Sequence, residues 1–368
     1  MELKVNRSDF LTTLYWTQSI VERRNTMPIL ANILLEATAK EIRVTATDLE
    51  IGVRGRLSGT VAKEGMATVS AKKMYEIVRE APADEVYCRR LDNDWVEIRS
   101  GRSVFKVVGM DAKEFPQFPK VNESKLSPVS AKVIGGMIER TIFAASSDET
   151  RHNLNGVFCE QAAGKKLRMV ATDGHRLALV ETEVATLGMD KGVILPRKGL
   201  LEVKKIIEQI EDGEIWMGFQ DNMALARNGN VELYMRLIDG EFPEYNKVVP
   251  RDNPNVVKVE RDALLSALKR VSILSSDRYR GIKIEVRNGS VVVSANNPDL
   301  GEANEEVEVE YKGKSIAVGF NARYLIDVLN VFGEGGEVEL SLNDETSPGL
   351  IKREGDESYL YVVMPMRL

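Results

Sequence analysis

"RMVATDGHRLALVET" (residues 168–182) places Thr172, Asp173, His175 and Arg176 within five positions, a grouping that suggests proton transfer or metal binding. Laying the chain against itself changes that reading. "RVTATDLEIGVRGRL" (43–57) sets Ala46, Thr47 and Asp48 on Ala171, Thr172 and Asp173 at an offset of 125 residues. A weaker third copy, "VVVSANNPDLGEANEEVEV" (291–309), puts Ala295, Asn296 and Asn297 there at an offset of 124. Solenoid repeats have periods of roughly 20 to 50 residues, so a period this long predicts three whole domains in tandem.

The similarity extends outward from the motif. Upstream of each copy an amphipathic pattern predicts a helix, over 8–21, 130–146 and 260–274. In the second of these, Val133/Ile134, Met137/Ile138 and Ile142/Ala145 form one stripe, and Ser8 and Ser130 suit N-caps. Downstream a further helix is expected over 70–81, 196–210 and 321–332, with Ser70 and Asn321 as caps and Pro196 as an opening residue. Alternating β-rich runs follow each. Every unit therefore reads helix, strands, helix, strands, an α+β fold. The proline-containing stretches at 114–128 and 241–255, both carrying "EFP", mark the boundaries. The expected domains are 1–120, 128–246 and 254–368.

Composition excludes several alternatives. At 368 residues the chain is long for a single core, and with 43% hydrophobic and 29% charged residues it reads as an ordinary soluble protein. No run reaches the roughly 18 apolar residues of a membrane span and "MELKVNRSDF" lacks a signal-peptide core, so a cytoplasmic location is expected. Cys88 and Cys159 have no zinc-like spacing and are expected to be reduced and buried. A net charge of −6 argues against nucleic acid coating the whole surface but leaves room for a local basic face.

The opening motif does not read as catalytic. Its copies, "TDLE", "TDGHR" and "NNPD", share only a turn-forming residue, and Asp or Asn closes such turns through its own side chain. His152 is the other histidine of the chain, and no phosphate-cradling loop, nucleophile elbow or metalloprotease helix occurs. No catalytic residue, cofactor or metal is therefore expected.

Three copies with "ATDGHRLA", "LPRKG", "EFPEY" and the ending "YVVMPMRL" closely resemble the bacterial DNA polymerase III beta subunits, the replicative sliding clamps, over essentially the full length. The resemblance implies three DNA-clamp domains, each with two helices packed on β-sheets, and a head-to-tail homodimeric ring around duplex DNA. Such a ring tethers the replicative polymerase for processive synthesis and serves as a docking platform for the clamp loader and repair proteins, which bind through short peptides. It has no catalysis of its own and no membrane partner.

By the same resemblance the peptide groove here comprises Leu154, Thr172, Gly174, His175, Arg176, Leu177, Pro243, Val248, Asn321, Tyr324, Val362, Met364, Pro365, Met366, Arg367 and Leu368. DNA-facing positions on and near the expected inner helices are Arg24, Lys72, Lys73, Arg79, Arg140, Arg151, Arg197, Lys198, Lys204, Lys205, Lys269 and Arg270. In the loop around Arg151 the chain departs from the family pattern at Asp148 and Asn153, which weakens the case for DNA contact there. The implied subunit joint pairs Arg99, Arg102, Phe105 and Lys106 with Glu302, Glu305, Glu306 and Glu308, beside Ile273 and Leu274. Two other readings compete. A sequence-specific DNA-binding regulator needs a concentrated basic element, and a hydrolase would use Asp173 and His175.

Overall fold

The computed structural model describes residues 1–21, 27–148, 150–184, 187–189, 191–210, 213–250, 253–276 and 280–367. Arg24 and Leu368, both singled out above, lie outside the described residues.

One element order recurs three times, with one strand, β5, added in the first copy. The first copy has β1 (Glu2–Asn6), α1 (Arg7–Gln18), β2 (Asn32–Ala37), β3 (Ile42–Thr47), β4 (Ile51–Leu57), β5 (Gly59–Lys63), β6 (Gly65–Ser70), α2 (Ala71–Arg79), β7 (Glu85–Arg90), β8 (Val96–Ser100) and β9 (Ser103–Val107). The second has β10 (Leu126–Ser130), α3 (Ala131–Ile142), β11 (Gly156–Ala162), β12 (Lys166–Thr172), β13 (Arg176–Glu183), β14 (Val193–Pro196), α4 (Arg197–Ile207), β15 (Glu214–Gln220), β16 (Met223–Asn228) and β17 (Val231–Arg236). The third has β18 (Asn255–Glu260), α5 (Arg261–Val271), β19 (Gly281–Arg287), β20 (Ser290–Asn297), β21 (Gly301–Glu308), β22 (Ile316–Asn321), α6 (Ala322–Val331), β23 (Glu337–Leu342), β24 (Gly349–Arg353) and β25 (Tyr359–Val363).

Each copy opens on a short strand that the helix and hairpin patterns do not announce, and the helices are shorter than expected. The cap of α1 is Asn6 rather than Ser8. Asn6 Oδ1 accepts from the amides of Ser8 (2.9 Å) and Asp9 (3.4 Å), because the chain is still extended at Asn6 as it leaves β1. Ser70 and Asn321 cap α2 and α6 as expected, and Pro196 ends β14 immediately before α4.

Backbone contacts divide the chain into two compact units that cut across the second copy. The first combines Met1–Lys132 with Lys198–Leu237, and the second combines Val133–Val184, Lys191–Arg197 and Ile238–Leu368. The first unit holds a five-stranded sheet, β5-β1-β7-β8-β9, and an eight-stranded one, β10-β15-β16-β17-β4-β3-β2-β6. The second holds an eight-stranded sheet, β14-β11-β12-β13-β25-β24-β23-β18, and a four-stranded one, β21-β20-β19-β22. Both large sheets arise by one rule: β4 of the first copy pairs antiparallel with β17 of the second, and β13 of the second pairs with β25 of the third.

Period-2 alternation sends one face of each large sheet to the helices. In β12, Leu167, Met169 and Ala171 are buried on that face, and in β25 Tyr359 and Tyr361 are. Their hydroxyls donate to the backbone carbonyls of Arg140 in α3 and Tyr324 in α6, each at 2.9 Å, so neither polar tip is left unpaired. In the first unit two glycines allow close helix approach. A Cβ on Gly55 would fall 2.2 Å from Thr13 of α1, and one on Gly199 of α4 would fall 2.6 Å from the Met235 sulfur. Cys88 and Cys159 are free and buried, and burial pushes both thiols up to about 12. No helix among the described residues is long and apolar enough to cross a membrane.

Candidate functional site

The opening motif is the β12–β13 hairpin. Asp173 Oδ1 accepts from the amides of His175 (2.9 Å) and Arg176 (3.1 Å), while the Thr172 hydroxyl donates to the Arg176 carbonyl (2.6 Å) and accepts from Gly174 N–H (3.1 Å). Asp48 closes the matching turn through the amides of Glu50 and Ile51, and Leu49 takes φ +80° where Gly174 takes +90°. The carboxylate is therefore occupied in building the turn.

Arg176 anchors the surrounding wall. It is 9% exposed, donates to Asp327 Oδ2 (2.7 Å), Asp173 Oδ2 (3.1 Å) and the Phe143 carbonyl (2.7 Å), and lies 4.5 Å from the centre of the Tyr324 ring. Burial works against its charge, but Tyr361, Asp327 and Asp173 outweigh it and hold its pKa above the ordinary arginine value. His175 is exposed and stacks on Tyr324, with ring centres 6.5 Å apart. Asp327 and Phe143 were missed from the sequence, since nothing local ties an α6 carboxylate or an α3-end carbonyl to β13.

Most of the expected groove residues are drawn together here. Leu177 pairs with Val362 across the β13–β25 joint, and both pack with Val170 and Tyr245, flanked by Phe158, Phe242 and Leu360. The tail beyond β25 is pinned by Met364 N–H to the His175 carbonyl (2.8 Å) and Met366 N–H to the Gly319 carbonyl (2.9 Å). Val248 and Met364 line one open cavity of about 730 Å³ with Val249, Pro250 and Pro348. Asn321 caps α6, and the Pro243 carbonyl accepts from Tyr245 N–H. Leu154 is buried in a short turn beside Arg151, whose Nη1 donates to the Asp173 carbonyl (3.3 Å). Pro365 is half-buried and Arg367 exposed. The mostly apolar floor with few polar groups suits small-ligand or peptide binding.

The cationic positions divide into exposed and engaged groups. Lys72, Lys73, Arg79, Arg197 and Lys269 are exposed, although Lys72 and Lys73 flank Glu76, whose carboxyl the Lys73 ammonium lowers, and Arg79 meets Glu80. Lys198 reaches Asp48 (2.5 Å), Lys205 reaches Glu202 (2.8 Å) and Arg140 reaches Asp356 (3.0 Å); Lys204 is half-buried. Arg270 pairs with Glu305, which joins a residue expected to face DNA to one expected at the subunit joint. Asp148 is exposed, accepts from the Thr150 amide (3.0 Å) and hydroxyl (2.7 Å) and pairs with Arg151 at 3.8 Å, and Asn153 Nδ2 donates to the Glu241 carbonyl (2.8 Å), clipping its loop to the following linker.

Of the residues expected at the subunit joint, Phe105 and Lys106 lie on one sheet edge and Glu302, Glu305, Glu306 and Glu308 on another. β9 ends the five-stranded sheet with Val104 and Phe105 exposed, and β21 ends the four-stranded sheet with Glu302, Glu306 and Glu308 exposed. Ile273, 72% exposed, sits beside Leu274 in the short turn after α5. Arg99 meets Glu97 (2.7 Å) in β8.

Repeated helix-backed sheets, an apolar groove and a motif whose acid builds a turn and pairs with Arg176 define a binding scaffold. Models of the DNA polymerase III beta subunit match the chain three times, the N-terminal domain at 1–119, the central domain at 128–244 and the C-terminal domain at 246–367. The chain belongs to the DNA polymerase III beta subunit family, and its role is that of a non-catalytic processivity clamp. It is 36% identical to the beta sliding clamp of Pseudomonas aeruginosa and 32% identical to that of Escherichia coli K12, each over the full length of both chains. Among solved structures it resembles the P. aeruginosa DNA polymerase III subunit beta (TM-score 0.93, 35% identity) and the Bartonella birtlesii DnaN sliding clamp bound to griselimycin (TM-score 0.95, 34% identity), both chains fully covered in each case.

Proposed function

We propose that two copies of this chain close head to tail into a ring that encircles duplex DNA in the cytoplasm and tethers the replicative polymerase. Each chain contributes three modules, 1–120, 128–246 and 254–368. The observation that carries this reading is the strand-pairing rule. Inside the chain, the fourth strand of the shared order in one copy pairs with the last strand of the next, as β4 does with β17 and β13 with β25. β21 is the third copy's strand of the first kind and β9 is the first copy's strand of the second kind, and each ends its sheet.

Carrying the internal registers over gives the joint its pairing. Val53 faces Leu233 and Ala178 faces Tyr361, so Ala303 faces Phe105 of the other copy. One step on, Glu302 faces Lys106. In the opposite direction Glu306 faces Arg102, with Ile273 and Leu274 supplying apolar contact. Main-chain hydrogen bonds from edge pairing and opposite charges at matched positions both favour this contact.

DNA would pass along the helix side, where Lys72, Lys73, Arg79, Arg197, Lys204 and Lys269 supply diffuse positive charge and Arg140, Arg151, Lys198, Lys205 and Arg270 act partly through their acid partners. Attraction screened over about 8 Å at physiological salt reads no bases and permits sliding. Polymerase, clamp loader and repair proteins would dock short peptides in the groove around His175, Leu177, Val362 and Met364, whose flexible methionines adapt to varied apolar anchors. Support for that use comes from the floor's chemistry and from the griselimycin-bound relative. A Glu302→Cys, Lys106→Cys pair tests the joint: oxidation yields a covalent dimer if the register holds, and only monomer if it does not.

A further inference from the structure

We propose that the first unit carries a second docking site, on the sheet face away from its helices, for an acidic segment of a partner protein bearing aromatic side chains. The internal repeat locates it. "EFPQF" (114–118) crosses the β2–β4 face as "EFPEY" (241–245) crosses the β11–β13 face, and the registers set Leu34 where the groove has Phe158 and Thr45 where it has Val170. The frame is kept and the lining is changed: Leu179 becomes Arg54, Glu181 becomes Arg56 and Tyr245 becomes Phe118.

In the second unit this polar corner is complete. Arg168 donates to Glu181 (2.8 Å), Glu160 (3.0 Å) and the Tyr245 hydroxyl (2.8 Å). In the first unit it is not. Arg43 and Arg56 both pair with Glu41, the latter through Nε at 3.6 Å, but no hydrogen bond reaches the buried Nε of Arg43, Arg54 or Arg56 or the hydroxyl of Thr45, a residue 1% exposed that lines the same cavity. Glu232 is shared between Arg56 at 2.5 Å and Arg54 at 3.8 Å, and the Arg54 guanidinium lies 3.9 Å above the Phe118 ring. Burial lowers the Arg54 pKa, which marks a desolvated cation short of counter-charge.

The cavity measures about 870 Å³ and its lining carries two more cations than carboxylates, in a chain of net charge −6. Leu34, Phe115 and Phe118 give it an apolar floor. That volume is large for a small inorganic anion and fits several residues of peptide. Carboxylates would pair with the arginine forks and rings would pack on the phenylalanines. Lys113 and Lys120, exposed at the rim, would steer the approach.

The test uses the full-length protein and a fluorescein-labelled hexapeptide alternating aspartate and phenylalanine, read by anisotropy at physiological salt. Expected is saturable binding that Arg54→Leu weakens at least tenfold, that Lys113→Glu with Lys120→Glu weakens several-fold should Arg54→Leu not fold, and that Tyr324→Ala in the other groove leaves unchanged. The proposal is overturned by no binding at millimolar peptide, by equal binding of the hexapeptide with asparagine for aspartate, by loss of binding in Tyr324→Ala, or by displacement with equimolar inorganic phosphate.

Discussion

The two strand joints inside the chain and the two edges it leaves open follow one topological rule but differ in chemistry. At β13–β25 the paired positions include Ala178 and Tyr361, both fully buried, and at β4–β17 they include Val53 and Leu233, each 1% exposed. The corresponding positions at the open edges are Phe105, 39% exposed, and Ala303, half-buried, with Lys106, Glu302 and Glu306 around them. On the proposed joint, what is core energy within one chain would become association energy between two. The open version carries charge, which keeps a flat hydrophobic edge from recruiting wrong partners.

Substitutions at the two kinds of joint should act on different quantities, folding at the closed joints and association at the open edges. The largest effect is expected from Tyr361→Ala, which removes a fully buried ring and its hydrogen bond inside the chain. Stability should fall by about 3 to 5 kcal/mol, as a drop in denaturation midpoint that does not depend on protein concentration. Phe105→Asp should leave the isolated chain's unfolding unchanged and raise the dimer Kd by about 100-fold, near 2.7 kcal/mol, in analytical ultracentrifugation. Lys106→Glu should cost about tenfold in the same assay, and adding Glu302→Lys should restore most of it; failure of that rescue would contradict the proposed register.

The smallest effect concerns the thiols, which report on the fold and not on the joint. Folding holds Cys88 and Cys159 as neutral thiols, with pKa near 12 against an ordinary value of 9.0. Their contribution to stability is complete below about pH 9 and is lost as pH rises toward about 12. Alkaline titration of the unfolding free energy should show that loss equally in the parent and in Phe105→Asp. At pH 8 neither thiol should react with a maleimide until the chain unfolds.

Much of the fold was legible because the chain describes itself three times. Alternation around Thr47 and Thr172 marks strands, and three-to-four spacing around Ile134 and Leu200 marks helices. The opening strands β1, β10 and β18 were not legible, since five or six residues beside a helix start look like a cap and its approach. Asn6 outcompeted Ser8 for the same reason. The β4–β17 and β13–β25 joints could not be read at all: they connect strands about 180 residues apart, and no local pattern encodes such a pairing. At the groove, Leu177 and Val362 alternate visibly, but the Arg176–Asp327 contact depends on tertiary placement. Arg270 and Glu305 carry the same lesson, because residue type suggested two roles where geometry made one ion pair.

If the open edges of two copies close a hoop around DNA, the link is topological. It is tested most directly by loading the protein onto a nicked circular plasmid, washing in high salt and then cutting the circle once. A threaded ring should be retained on the intact circle and released on linearisation, and Phe105→Asp should fail to be retained. Equal retention before and after the cut would contradict the topological link.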